Sequence, residues 1–121
     1  MTAHHPARVA DRVRRILAQA IQSELRDPGL GFVTLTDVKL SPDLQYAVVY
    51  VTILGEQTAE TSLRALSRAV PFLRRTLARR AGLRHTPELR FVNDEAAETG
   101  MRLEELFDEL RDERERRTDE T

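Results

Sequence analysis

Four arginines are spaced so that a helix would bring them onto one face: Arg64, Arg68, Arg75 and Arg79. At roughly 100° per residue they fall in a narrow stripe on the side opposite a series of apolar residues. A guanidinium group is planar, and its N–H groups match pairs of phosphate oxygens. The spacing therefore predicts a face that binds phosphate groups.

A solvated helix face is the alternative interpretation of this arginine stripe. Such a face usually carries acidic residues four positions from the basic ones. Glu60 precedes Arg64, but no acidic residue lies between Arg64 and Arg84. Phosphate binding is therefore the favoured interpretation. Three further arginines flank the stripe and would extend it, namely Arg74, Arg80 and Arg84.

A second and weaker group of arginines lies near the N-terminus, at Arg8, Arg12 and Arg15. Asp11 lies among them, so an ordinary polar helix face explains this group equally well. Tyr46 and Tyr50 fall on one face of a predicted strand, where we expect them to pack rather than to stack on bases. The sequence therefore predicts contacts to phosphate groups and to nucleic-acid shape, not readout of bases.

The distribution of charge indicates the same kind of partner. Residues 1–90 contain 14 Lys and Arg against 8 Asp and Glu, whereas residues 91–121 contain 5 Arg against 12 Asp and Glu. A net charge of −1 thus conceals a basic body and an acidic end. A basic body favours a polyanionic partner, and the acidic end is expected to oppose its binding mildly.

Residues suited to catalysis are scarce. The chain has no cysteine, which excludes disulfides, thiolate nucleophiles and cysteine-based zinc sites. Its histidines are His4, His5 and His85, and no motif presents a serine beside His85. The adjacent carboxylates of Asp94 and Glu95 are better explained by helix capping. We therefore expect no catalytic residue, no metal site and no cofactor.

The elements that must position the arginines can be predicted from periodicity. Apolar residues at helical spacing predict a first helix over about 9–25, which the turn residues 27–29 end. Residues 32–40 and 45–54 are rich in β-branched side chains and predict two strands. The short turn between them predicts an antiparallel hairpin.

A long helical pattern over 59–80 carries the arginine stripe. Thr58 and Thr61 are alternative caps for its start. Pro71 in its middle lacks the N–H group that a helix needs there. We therefore predict two helices joined by a kink at Ala69, Val70 and Pro71, with Pro71 beginning the second helix.

The end of the chain predicts a third strand over 88–93 and an amphipathic helix over about 95–111. The predicted fold is α+β, with the order α-β-β-α-kink-α-β, a three-stranded mixed sheet, helices on one face and an added C-terminal helix. The crossover through the helices is expected to return the third strand beside the first and parallel to it.

The predicted organisation has four parts. Residues 1–7 form a flexible N-terminus, 8–93 the main domain, 94–111 the C-terminal helix, and 112–121 an acidic, disordered tail. The chain has 121 residues, which is enough for one domain. It has no apolar run of about 18 residues and no apolar segment typical of a signal peptide, so a cytoplasmic protein is expected.

The predicted order matches a type II KH domain, although the GxxG loop of that fold is missing. Several sequence blocks further resemble the ribosome-binding factor A family, over about residues 8–110. These blocks are RVA at 8–10, ELRDPGLG at 24–31, VTLTDV at 33–38, SPDL at 41–44, AVVYV at 47–51, TPELRF at 86–91, DE at 94–95 and GMR at 100–102. At the kink the family typically has Ala-x-Gly, whereas this chain has Pro71 in place of the glycine.

The resemblance implies a non-enzymatic assembly factor that binds 16S rRNA in the free small (30S) ribosomal subunit during late maturation. It also implies a role in processing the 5′ end of 16S rRNA and a link to cold adaptation. Ribosomal proteins are further candidate partners, a monomer is expected, and no membrane is involved. Two other functions remain open at this point: a protein-interaction adaptor that uses the C-terminal helix, and a small phosphate-handling α+β enzyme.

Overall fold

Three strands form one mixed sheet, and helices lie against both of its faces. The computed structural model describes residues 6–55, 58–97 and 102–119. The elements within these residues are α1 (Pro6–Ser23), β1 (Phe32–Leu40), β2 (Tyr46–Leu54), α2 (Ala59–Arg80), β3 (Glu88–Asn93), α3 (Asp94–Ala97) and α4 (Leu103–Asp119). The predicted α+β class, the mixed sheet and the additional C-terminal helix are confirmed.

The sheet has the order β1-β2-β3, so β2 is the central strand. β1 pairs with β2 in antiparallel orientation, and β3 pairs with β2 in parallel orientation. The prediction that the third strand lies beside the first and parallel to it is therefore wrong, because β3 borders β2 and runs antiparallel to β1. The physical reason lies in β2, where residues 46–49 are all buried. A strand that is apolar on both faces is most stable between two partners, and β3 gives it the second one.

Helices α1 and α2 cover one face of the sheet. Their apolar stripes pack with the alternate β2 residues Ala47, Val49 and Val51, as the predicted periodicity requires. Thr58 caps α2, because its hydroxyl accepts a hydrogen bond from the backbone N–H of Thr61 at 3.0 Å. The first of the two alternative caps is therefore the correct one.

Pro71 lies inside a single continuous helix, so the prediction of two helices joined at Ala69, Val70 and Pro71 is wrong. Two features explain why the helix continues. Leu66 and Leu73 are fully buried on the same face, one on each side of Pro71, so both halves are anchored to the same core. Pro71 and Ser67 are exposed, so water can bind the Ser67 carbonyl that lacks its helical donor.

Helix α4 covers the opposite face of the sheet. Leu106, Phe107 and Leu110 pack against Tyr46 and Val48, which confirms that the C-terminal helix packs by its apolar side. The guanidinium of Arg111 also lies over the Tyr46 ring, 5.3 Å from its centroid.

The bounds of the C-terminal elements differ from the prediction. The segment predicted as one helix contains α3 and the start of α4, and residues 98–101 between them lie outside the described residues. Helix α4 continues to Asp119, so the prediction of a disordered tail is wrong for residues 112–119. Polar contacts replace apolar burial there, for example the ion pair of Glu113 with Arg90 at 2.7 Å. Residues 120–121 lie outside the described residues.

The N-terminal helix is also longer than predicted. It begins at Pro6, so residues 6 and 7 belong to α1 and not to a flexible terminus, while residues 1–5 lie outside the described residues. Proline is favoured in the first turn of a helix, where its missing N–H group costs nothing. Within the described residues, no helix is both long and apolar enough to cross a membrane.

Candidate nucleic-acid interface

Arg75 and Arg79 form the part of the predicted arginine stripe that has no internal partner among the described residues. They lie one turn apart on the exposed side of α2. Neither has an ion pair or a hydrogen-bond partner within the described residues. Two unpaired guanidinium groups on one face are free to bind phosphate oxygens without first breaking an internal contact.

The other two arginines of the stripe form ion pairs with carboxylates of this chain. Arg64 forms an ion pair with Glu60 at 2.9 Å. Arg68 donates two hydrogen bonds to Asp27, from Nε at 3.0 Å and from Nη2 at 2.8 Å. Asp27 lies 41 positions before Arg68 and outside the helix, so the spacing of acidic residues along α2 does not reveal this partner.

Asp27 is organised to hold Arg68. One carboxylate oxygen accepts a hydrogen bond from the backbone N–H of Gly29 at 2.9 Å, and the other accepts both bonds from Arg68. The Gly29 N–H first, and then the Arg68 guanidinium, lower the pKa of this carboxyl below its ordinary value. The chain between α1 and β1 is thereby fixed to the middle of α2.

The three flanking arginines have different environments. Arg74 donates to the backbone carbonyls of Thr86 at 3.0 Å and Pro87 at 3.1 Å, so it holds the segment that precedes β3. Arg80 forms an ion pair with Glu24 at 3.3 Å. Arg84 is exposed and has no partner in the described part of the chain.

The N-terminal arginines divide in the same way. Arg12 donates to the backbone carbonyl of Ala81 at 2.9 Å and so joins α1 to the end of α2. Arg15 forms an ion pair with Asp11 at 3.1 Å. Arg8 is exposed, and the described residues offer it no partner. Of the ten predicted residues, the structure thus leaves four without an internal partner among the residues it describes: Arg8, Arg75, Arg79 and Arg84.

Two further features concern the tyrosines of β2 and the side chains that could bind a metal ion. Tyr46 is buried and Tyr50 half-buried in the packing against α4, as expected. Burial, with added repulsion from Asp37 and Asp94, raises the pKa of Tyr50. The described residues contain no group of three His, Cys, Asp or Glu side chains that could hold a metal ion.

Sequence reasoning missed one exposed aromatic side chain. Phe32 is 74% exposed at the start of β1 and is paired in register with Leu54, which is 61% exposed. Apolar residues at the ends of strands look like core residues in a sequence, and only the tertiary structure shows that these two are exposed.

The fold and the exposed arginines define the class to which the chain belongs: small α+β proteins in which a cationic helix lies beside a three-stranded mixed sheet. Within this class the chain belongs to the ribosome-binding factor A family, whose family model matches residues 5–107. The ribosome-binding factor A of Chromohalobacter salexigens is 50% identical over 105 residues, which cover 84% of this chain and 80% of that protein. That of an Azoarcus species is 47% identical over 103 residues, which cover 84% and 82% of the two chains.

Solved structures support the same assignment. The crystal structure of ribosome-binding factor A from Thermus thermophilus matches with a TM-score of 0.70 and 40% identity, covering 76% of this chain and 98% of that chain. A homology model of the Thermus thermophilus protein, fitted into a cryo-electron-microscopy map of a complex with 30S, matches with a TM-score of 0.61 and 41% identity, covering 79% of this chain and 98% of that one.

Proposed function

We propose that this protein is a ribosome assembly factor that binds 16S rRNA in the free small ribosomal subunit. One observation carries the proposal: the Thermus thermophilus homologue, 41% identical to this chain, has been placed in a map of a 30S complex. The proposed contact surface is the exposed side of α2, where Arg75 and Arg79 have no partner among the described residues. Arg8 on α1 would provide a further contact.

The mode of binding proposed here is contact with phosphate groups and RNA shape. Arginine forks bind phosphate oxygens in pairs, whereas the tyrosines of the central strand are packed under α4 and offer no stacking platform. A small protein of this kind acts by binding one RNA conformation more tightly than another, which shifts the population towards that conformation. No cofactor and no enzymatic step are needed for this mechanism.

We further infer, from the family resemblance, that binding occurs late in maturation and bears on processing of the 5′ end of 16S rRNA, with a role in cold adaptation. The protein would act as a monomer in the cytoplasm and would contact ribosomal proteins as well as rRNA. Accumulation of 16S rRNA with an unprocessed 5′ end in a deletion strain, most strongly in the cold, would support this finer proposal. Normal processing in that strain would contradict it.

Sedimentation with isolated small subunits tests the main proposal. The full chain is mixed with mature and with immature subunits at several salt concentrations, and the protein that sediments with them is measured. We expect binding that weakens steeply with salt, because phosphate contacts release counterions. Absence of cosedimentation with both kinds of subunit, at low as well as physiological salt, would contradict the proposal.

The adaptor hypothesis is less well supported. It needs the apolar side of the C-terminal helix for a partner protein, but Leu106, Phe107 and Leu110 are buried against the sheet of this chain. The enzyme hypothesis needs a reactive group that is activated by a hydrogen-bonded partner and lies beside a phosphate-binding arginine. Among the described residues, His85 is exposed without a hydrogen-bond partner, and no serine or carboxylate is bonded to it.

A further inference from the structure

A polar cleft lies at the end of the sheet where β2 and β3 begin. Its volume is about 700 Å³, within the range of ligand sites in proteins. One wall is formed by the segment before β3, and the other by the last two turns of α4. All nine lining residues are polar or charged, and they include four arginines and His85 but only one acidic residue, Glu88. The cleft therefore has an excess of positive charge in a concave surface, which concentrates anions.

Glu88 holds two of the four arginines in place. Its carboxylate accepts a hydrogen bond from Nη2 of Arg117, and it lies 3.6 Å from Nε of Arg114. Arg114 is positioned from its other side by a 2.6 Å hydrogen bond to the side-chain oxygen of Gln45. One carboxylate shared by two guanidinium groups leaves most of their N–H donors unused, and an incoming anion can take the place of the carboxylate.

The other two arginines are placed by different means. Arg74 is fixed to the backbone carbonyls of Thr86 and Pro87, so the wall before β3 is held rigidly. Arg84 lines the cleft without a partner among the described residues. The cleft thus combines hydrogen-bond donors that are held in place with the guanidinium of Arg84. Because Arg84 forms no hydrogen bond or ion pair with the described residues, folding stability does not explain its presence in the cleft.

We propose that this cleft is a second RNA-binding site, which takes a backbone phosphate group between Arg84 on one wall and Arg114 and Arg117 on the other. The lining includes no Phe, Tyr or Trp side chain and is dominated by arginines, so we take phosphate as the recognised group. The Glu88 carboxylate competes with the RNA phosphate for Arg114 and Arg117, which it contacts in the free protein. This inference rests on the proposed function only in taking RNA as the ligand, because the cleft contains neither Arg75 nor Arg79 and two of its arginines lie on α4.

The test uses the full chain carrying Arg75→Gln and Arg79→Gln. These substitutions remove the charges of the first surface, so RNA binding at the cleft is measured separately from RNA binding by α2. The probes are a single-stranded RNA of ten uridines and, in a second titration, inorganic pyrophosphate, both at low salt. Binding is followed by changes in the amide chemical shifts of residues 84–88 and 114–118. We expect RNA to shift these amides, and dissociation constants follow from the titration.

Substitutions then identify the groups involved. Arg84→Gln and Arg117→Gln should each weaken RNA binding about two- to fivefold, as expected for the loss of one exposed ionic contact. The matched control Arg116→Gln removes the same charge from the neighbouring position of α4, which does not line the cleft, and should change binding by less than about twofold. Arg84→Gln keeps the test valid if Arg117→Gln perturbs the fold, because Arg84 has no partner among the described residues.

Glu88→Gln provides the sharpest test. Removal of the competitor should tighten RNA binding about two- to fivefold. The control Glu105→Gln removes an equal charge from an exposed position of α4 that has no partner in the described residues. If Glu88→Gln and Glu105→Gln change the RNA affinity equally, the change in net charge alone explains the effect, and the proposal is overturned. Unshifted amides at 84–88 and 114–118 would also overturn it, as would binding of pyrophosphate without binding of RNA.

Discussion

The Arg68 guanidinium donates two hydrogen bonds to the Asp27 carboxylate and joins the middle of α2 to the segment between α1 and β1. Arg68 lies in the stripe that the sequence assigns to phosphate binding, but here its fork is already occupied by a carboxylate. Asp27 in turn shapes its own segment by accepting the Gly29 N–H. Arg68 is therefore a structural residue in the free protein, and the arginines of the stripe without an internal partner among the described residues are Arg75 and Arg79.

A first prediction concerns the pH dependence of this contact. The folded protein lowers the pKa of Asp27, so the contact stabilises the fold above the unfolded pKa of about 4 and is lost as the pH falls through the lower, folded value. We expect Asp27→Asn to lower the melting temperature at pH 7. Below about pH 4 the difference in melting temperature between this variant and the unmodified protein should shrink as the pH falls. Thermal melts followed by circular dichroism between about pH 2.5 and 7.5 measure this.

Asp112→Asn is the control for that series. Asp112 is exposed on α4, and no partner for it occurs in the described residues. Its substitution should leave the melting temperature nearly unchanged at every pH. A difference between the Asp27 variant and the unmodified protein that stays constant down to the lowest pH would contradict the assigned role of the charged carboxylate.

A second prediction concerns the two unpaired arginines of α2. Arg75→Gln with Arg79→Gln should weaken binding to small subunits and flatten the slope of log K against log salt by about one to two units, since each lost phosphate contact removes about 0.7 to 0.9. Stability should be nearly unchanged, because neither side chain has an internal partner among the described residues. Sedimentation at a series of salt concentrations gives the slope.

The control for the salt slope is Arg102→Gln with Arg116→Gln. Both side chains are exposed at positions of the acidic C-terminal region, and this double variant loses the same charge. Its slope should equal that of the unmodified protein. If the two double variants have the same slope, Arg75 and Arg79 do not contact RNA phosphates in the subunit.

Local patterns in the sequence were sufficient to predict most of the fold. The bounds of β1 and β3 agree with the prediction, because β-branched residues in β1 and alternation of apolar and polar residues in β3, each preceded by turn residues, identify a strand without reference to the rest of the chain. The place of β3 in the sheet could not be predicted in this way. It depends on the long-range choice between β1 and β2 as partner, and the burial of β2 on both faces decides it.

The candidate site was less predictable for the same reason. Periodicity placed Arg64, Arg68, Arg75 and Arg79 on one face, and the continuous helix has this geometry. Whether an arginine is available depends on carboxylates far away in the sequence, such as Asp27 for Arg68. Arg114 and Arg117 fall in the segment predicted as a disordered tail, and only the tertiary structure places them in a cleft opposite Arg84.

A third prediction concerns Pro71 within the continuous helix. Its ring crowds the preceding turn, and its missing N–H group leaves the Ser67 carbonyl without a helical donor. Alanine would relieve the crowding and supply the hydrogen bond. Proline also restricts the unfolded chain, which offsets part of this cost. We expect Pro71→Ala to raise the free energy of unfolding by about 1 to 2 kcal/mol. Denaturation in urea measures it.

Ser67→Ala is the matched control for Pro71→Ala. It changes an exposed residue one turn earlier and alters no backbone donor. Its effect should remain within about 0.5 kcal/mol. A loss of stability in Pro71→Ala would mean that α2 depends on the proline for its path between the sheet and the solvent.

The last prediction concerns the final turns of α4, which contain few apolar residues and nevertheless are helical. Arg90 on β3 donates to Glu109 at 3.0 Å and to both oxygens of Glu113 at 2.8 and 2.7 Å. Burial lowers the pKa of Arg90, but the hydrogen bonds from these two carboxylates raise it more, so its pKa lies above the ordinary value. These charge-assisted contacts take the place of a hydrophobic anchor for the end of the helix.

Glu113→Gln should therefore lower the free energy of unfolding by about 1 kcal/mol, since it weakens a half-buried contact. Truncation after Arg111 removes Glu113 together with both partners of Glu88 and should cost at least as much. Glu115→Gln, at an exposed position without a partner among the described residues, should cost less than about 0.5 kcal/mol. Urea denaturation of the three variants compares them directly. A truncated chain as stable as the full one would mean that the last turns of α4 are not held by Arg90 and Glu88 in solution, and that the acidic end is mobile, as its composition alone predicts.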